Sequence, residues 1–174
     1  MHTSLSDKIW GEPQLRLNQA KAAARLADPS RPSDLLLVDR TGSGKTHTTR
    51  MIGVAKKGIT LMVITLHTLT ANELAKFIGA NQAYSTIEAH NVNEMLHNSK
   101  VEYQKLLHCG RALPIATTSS VFLFGSPQFI CYHSDFTKML IGAVDRRFLR
   151  LVVLNEVHLY TSSRGHHLAL KLEC

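Results

Sequence analysis

The run Asp34-Leu35-Leu36-Leu37-Val38-Asp39-Arg40-Thr41-Gly42-Ser43-Gly44-Lys45-Thr46 constrains this chain more than any other stretch. Its apolar half predicts a buried strand. Nothing after Lys45 breaks a helix before Gly53, so the glycine-bearing turn opens a helix. Strand, turn and helix N-terminus gather backbone N–H groups, the positive end of the helix dipole and the Lys45 charge around one point, which makes an anion cradle. Gly42 and Gly44 leave room for a phosphate to approach the backbone, and the Thr46 hydroxyl suits a magnesium ion that bridges the β- and γ-phosphates. A chance Gly-Ser-Gly turn is the alternative; the strand before it and the helix after it favour the phosphate reading. Asp39 stands where a phosphate loop ordinarily begins with glycine, and its carboxylate opposes a bound phosphate.

A chain of 174 residues with 44% hydrophobic residues is long enough for one domain with a real core. Its apolar runs are too short to span a bilayer, and the N-terminus has no signal-peptide pattern. Cys109, Cys131 and Cys174 lie far apart, in neither metal-ligand nor disulfide spacing, so reduced thiols and an intracellular location (nuclear in a eukaryote) are expected. The formal charge of +7 leans toward an anionic partner. The charges are scattered, with Lys56-Lys57 and Arg146-Arg147 as the doublets, and no array among the ten histidines has ligand spacing.

Residues 1–13 read as a loosely held polar arm. Leu15 to Leu26 is alanine-rich and helix-favouring, and the prolines and serines of 27–33 end it. A helix is predicted from Lys45 to Lys56, then a strand over Ile59–Leu66. Thr70 with Glu73 three residues on has the form of a capping box, for a helix running to Ile78. A short strand is expected over Ala83–Ala89, and one helix from about Val92 to Cys109, stopped by Gly110. Ser120–Phe124 is a further strand, stopped by Gly125-Ser126-Pro127. From Ser134 the spacing of Phe136, Met139, Leu140, Ala143, Val144 and Phe148 predicts an amphipathic helix with these residues in the core. Leu149–Leu154 is the last strand and leads into Asn155-Glu156-Val157-His158. Nearly all-apolar strands alternating with helices imply a mostly parallel sheet covered on both faces, with ligands at the carboxyl ends of its strands. The loop at Lys45 and the stretch after Leu154 both belong there.

An apolar strand ending in acid, about 110 residues after a phosphate loop, is the magnesium- and water-handling half of many nucleotide hydrolases. Glu156 is present, but Asn155 holds the place of the metal-side acid and brings an amide dipole in place of a charge. With these stretches the chain resembles the first motor domain of superfamily 2 helicases, and among them the RecQ-like DNA helicases with DEAD/DEAH-type motifs. Leu15-Arg16-Leu17-Asn18-Gln19 looks like the upstream motif whose glutamine reads adenine, Thr41–Thr46 like motif I, Ser126-Pro127-Gln128 like the Thr-Pro-Glu type motif that touches the nucleic-acid backbone, and Asn155–His158 like motif II with its first acid changed. The resemblance covers roughly residues 14 to 160.

It implies an α/β fold of the P-loop NTPase type, a RecA-like three-layer domain with a mostly parallel sheet. It also implies ATP and Mg2+ as cofactors and single-stranded or duplex DNA as partner, with RNA open. Nucleotide contacts fall to Gln19, Thr41, Gly42, Ser43, Gly44, Lys45 and Thr46, metal contacts to Thr46 and Asn155, and catalytic roles to Lys45 and Glu156. Nucleic-acid contacts fall to Ser126, Pro127 and Gln128, with the stretch from Thr65 to Leu69 beside them. No Ser-Ala-Thr motif and no second motor domain with its arginine finger follow, and residues 161–174 read as an altered or truncated tail. A domain that binds nucleotide and is inactive alone is therefore expected, its second motor domain supplied by a partner. The alternatives are a non-enzymatic remnant that binds nucleic acid or a partner, and another small P-loop NTPase.

Overall fold

A computed structural model describes residues 9, 15–27, 35, 43–65, 67–78, 86–112 and 119–155. Its elements in chain order are α1 (Leu17–Ala27), α2 (Lys45–Lys56), β1 (Gly58–Val63), α3 (His67–Ile78), β2 (Thr86–Asn91), α4 (Val92–Asn98), α5 (Lys100–Ala112), β3 (Ser119–Gly125), α6 (Pro127–Tyr132), α7 (Ser134–Asp145) and β4 (Leu149–Leu154).

The four strands form one sheet in the order β2-β3-β1-β4, and every pairing is parallel. β1 and β3 are mostly apolar and buried almost end to end, as strands covered on both faces must be. One face carries Ile59, Leu61, Val63, Val121 and Leu123 against Val92, Tyr103, Leu107, Phe129, Phe136 and Met139 of α4 to α7. The other carries Met62, Ile64, Phe122 and Phe124 against Val54 of α2 and Phe77 of α3, with Ile9 buried in the same cluster. Phe77 stacks on Phe122 at 4.6 Å between ring centroids and meets Phe124 edge-on at 5.9 Å. Helix α2 lies close on its face because Gly53 has no side chain; a Cβ there would sit 2.7 Å from the Phe122 ring and from Thr60 Oγ1.

Several expectations change. β1 ends at Val63, three residues short of the expected end; β2 is described over Thr86–Asn91 against the expected Ala83–Ala89; and Ile9, in the stretch read as a loose arm, is buried. Helix α3 starts at His67, so Thr70 lies inside it and not at its N-cap, while Glu73 pairs with Lys76 three residues on. The single helix expected over 92–109 is two, since Ser99 leaves helical geometry and offers its hydroxyl to Glu102 N; Gly110 falls inside α5. Gly125-Ser126-Pro127 does end a strand, but it also starts a helix: Ser126 Oγ accepts from Phe129 N and Pro127 takes the first helical position, where its missing N–H costs nothing. Helix α7 begins at Ser134 and buries Phe136, Met139, Leu140 and Ala143, but Val144 is 41% exposed. The phosphate-loop strand expected over 34–39 lies, apart from Leu35, outside the described residues. Among those described, no helix is long and apolar enough to cross a membrane.

Candidate functional site

Helix α2 has 12 residues, about 18 Å of rise, and β1 has 6, about 20 Å. The chain turns at Lys57-Gly58 between them, so α2 runs back along the sheet and its first turn reaches the level where β1 ends. The start of α2 therefore meets the carboxyl edge of the sheet. The turn into it is strained in a way only glycine tolerates: Gly44 has φ 86° and ψ 24°. A Cβ on Gly44 would also lie 2.6 Å from Gln19 Nε2, a steric demand that comes from the protein itself, independent of any ligand.

Gln19 is 24 residues away in the chain and buried against this turn. Its Nε2 donates to Ser43 O at 2.7 Å, and its Oε1 accepts from Arg16 N at 2.8 Å, closing the first turn of α1. Gln19, Ala22, Ala23 and Leu26 form the more buried face of α1, at the spacing of one helix stripe. The structure thus brings Gln19 onto the loop that the sequence pairs it with, and both ends of its amide hold backbone.

No side chain caps α2, and no acid lies in its first turn. Lys45, the first helical residue, adds a positive charge at the positive end of the helix dipole, where anions are favoured. The Ser43 hydroxyl is buried with no hydrogen-bond partner, a polar atom that a bound oxygen would satisfy. Thr48 Oγ1 turns back to Gly44 O and Thr49 Oγ1 to Thr46 O, so both hydroxyls fasten the first turn. Thr41 and Gly42 lie outside the described residues, as do Glu156 and His158. Asn155 is half-buried at the end of β4 and donates its backbone N–H to Val63 O at 3.0 Å, which sets it at the same carboxyl edge.

At the ends of β1, β2 and β3 that edge holds a shallow recess with room for about one water, lined by Ile64, Thr65, Thr70, Asn91, Asn93 and Ser126. Asn93 and Ser126 bind each other twice: Asn93 Nδ2 donates to Ser126 Oγ at 3.0 Å, and Ser126 N donates to Asn93 Oδ1 at 3.1 Å. Asn91 Oδ1 caps α4 by accepting from Asn93 N and Glu94 N. Its Nδ2 is buried with no hydrogen-bond partner, and so is Thr65 Oγ1. Pro127 is buried and Gln128 is exposed on α6. Sequence reasoning passed over Asn91 and Asn93; the available signal was an asparagine pair at a strand-to-helix switch, where such residues cap. Among the described residues no group of three His, Cys, Asp or Glu side chains gathers as a metal site. No protein-family model matches this chain, and no curated protein matches it in sequence.

Proposed function

We propose that this chain binds Mg-ATP at the turn Ser43–Thr46 and passes nucleic acid over the carboxyl ends of its strands, as a RecQ-like helicase's first motor domain does. The observation that carries the reading is the start of α2: an uncapped helix N-terminus, lysine in its first position, left-handed Gly44 and a buried, unsatisfied Ser43 hydroxyl. These features fit a polyphosphate: the helix dipole favours an anion there, Lys45 brings a positive charge, and the Ser43 hydroxyl has no partner of its own. Lys45 would neutralise β- and γ-phosphate charge, and Thr46 would offer its hydroxyl to magnesium. Asn155 would face the metal's water shell without charge, so phosphates carry most of the ion's coordination. A bound nucleotide would supply the phosphoryl chemistry; by the resemblance, Glu156 would handle the attacking water. With no acid before it and no second motor domain, turnover at or near background is expected of this chain alone.

For nucleic acid, the support is the recess at Thr65, Asn91, Asn93 and Ser126, whose spare donors suit a backbone oxygen. Titration of a fluorescent ATP analogue tests the nucleotide half. Lys45→Ala is expected to weaken binding about ten- to a hundredfold, the worth of one charge-assisted hydrogen bond to phosphate. Equal affinity of mutant and wild type would reduce the turn to a structural one.

A further inference from the structure

The proposed nucleic-acid path at the carboxyl edge, Ser126, Pro127, Gln128 and Thr65, carries no charge, although cations supply most backbone affinity by releasing counterions. Five of the described cations lie at the opposite edge, in two neighbouring connections. The two doublets that stand 90 residues apart in the chain, Lys56-Lys57 and Arg146-Arg147, both close helices that feed neighbouring strands, β1 and β4. Ile59 N donates to Phe148 O at 2.8 Å, which ties the two connections together. Arg150 joins them: its side-chain stem crosses Gly58, with Cγ 3.0 Å from where a Cβ on that glycine would be. Lys57, Arg147 and Arg150 are exposed, and Lys56 is half-buried. Arg146 folds back over Gly142. Asp145 is the one carboxylate in these two connections.

A second observation singles out the same residues. Lys57 (φ 53°) and Arg147 (φ 58°) are the only non-glycine residues with positive φ among those described. Arg147 N donates to Val144 O and Phe148 N to Ala143 O, the paired bonds of a helix end whose left-handed residue is ordinarily glycine. At both helix ends the strained position holds a cation where glycine would be easier, and backbone strain of this kind collects at functional sites.

We propose that Lys56, Lys57, Arg147 and Arg150 form a second nucleic-acid contact, at the amino edge of the sheet, which grips duplex backbone phosphates and supplies the charge the carboxyl edge lacks. Charge density favours duplex backbone over an anionic membrane, with four cations to the one carboxylate Asp145 over two short connections. Phe148 and Leu149 pack against the core, while Val144 beside Arg147 and Val152 on the face of Arg150 are exposed, so vesicle binding is measured as the competing outcome. This contact does not depend on nucleotide binding at Lys45.

The test is fluorescence anisotropy of a labelled DNA duplex against wild type and the triple variant Lys57→Gly/Arg147→Gly/Arg150→Ala, across a salt series. The two glycines remove charge and relieve strain together, so the variant is expected to melt no lower than wild type. The slope of log affinity against log salt is expected to fall by about 0.9 for each phosphate no longer neutralised, about 2 to 3 in all. Lys45→Ala reports on the nucleotide reading separately. An unchanged slope and affinity in a folded triple variant overturns the proposal, as does a wild type that binds no duplex. Binding to phosphatidylserine vesicles that the triple variant loses, with duplex binding unaltered, overturns it in favour of a membrane.

Discussion

On the proposed nucleotide reading, single residues at the carboxyl edge would set what ion could be held there. Asn155 sits at the end of β4 beside Val63, where an acid would lend charge to magnesium, and offers an amide dipole. Asn155→Asp is expected to tighten Mg-ATP binding while ATP in chelator binds as before, since a carboxylate attracts a divalent ion far more strongly than an amide does. Calorimetry with and without magnesium checks this, and the Asp39→Ala background gives the cleaner comparison by removing a carboxylate that the sequence sets beside the proposed phosphate site. The same magnesium dependence in every variant would place Asn155 away from the metal. Gln19 shows how a residue's partners exceed its motif. Sequence pairs it with the loop by resemblance, whereas burial and two backbone hydrogen bonds show what it does mechanically: it pins Ser43 and closes the first turn of α1.

At the scale of elements, the junctions carry more information than the helices and strands they join. Ser126 ends β3, caps α6 and clasps Asn93 at the β2–α4 junction, so one hydroxyl and one amide tie two strand-to-helix switches together. Ser126→Ala and Asn93→Ala are each expected to cost about 1–2 kcal/mol: the first loses the cap and the Nδ2–Oγ bond, the second both bonds between the pair. The double mutant should cost about 1 kcal/mol less than the sum, because each single change already breaks the shared pair. Denaturant unfolding of the four proteins measures this; strict additivity would mean the clasp adds nothing. The break between α4 and α5 has a similar lesson. Apolar spacing continues through Ser99 from Val92 to Leu107, and periodicity alone cannot register one residue whose backbone turns aside to start a new helix.

The molecule as a whole is organised by β1 and β3, whose two buried faces divide the core. Phe122 is fully buried, touches Phe77 and fills the space that Gly53 leaves under α2, so it joins strand, helix and the mount of the candidate loop. Phe122→Ala is expected to cost about 3–5 kcal/mol, a large share of the stability of a domain this size, and to lower nucleotide affinity as α2 loosens. Thermal and chemical denaturation give the first effect and the ATP-analogue titration the second. Strand β4 differs from its neighbours: its residues alternate between half-buried and exposed, with Val152 at 36% and Leu154 at 42%, although its sequence reads as fully buried.

The features legible in the order of residues are local ones. The bounds of α2 and β4 match the structure, those of α1 and β3 do so within two residues, and α7 begins where its stripe begins, because breakers and apolar periods act over a few residues of chain. The alternation of these elements was enough for a parallel α/β sheet. Packing between distant segments set the order β2-β3-β1-β4, and with it every meeting of residues far apart in the chain. It brought Asn93 to Ser126, Gln19 to Ser43 and the Lys57 turn beside the Arg147 turn, where the sequence showed only scattered charge. Strand order depends on which buried faces complete the core together. That is a competition between long-range packings, and no window along the chain contains its terms.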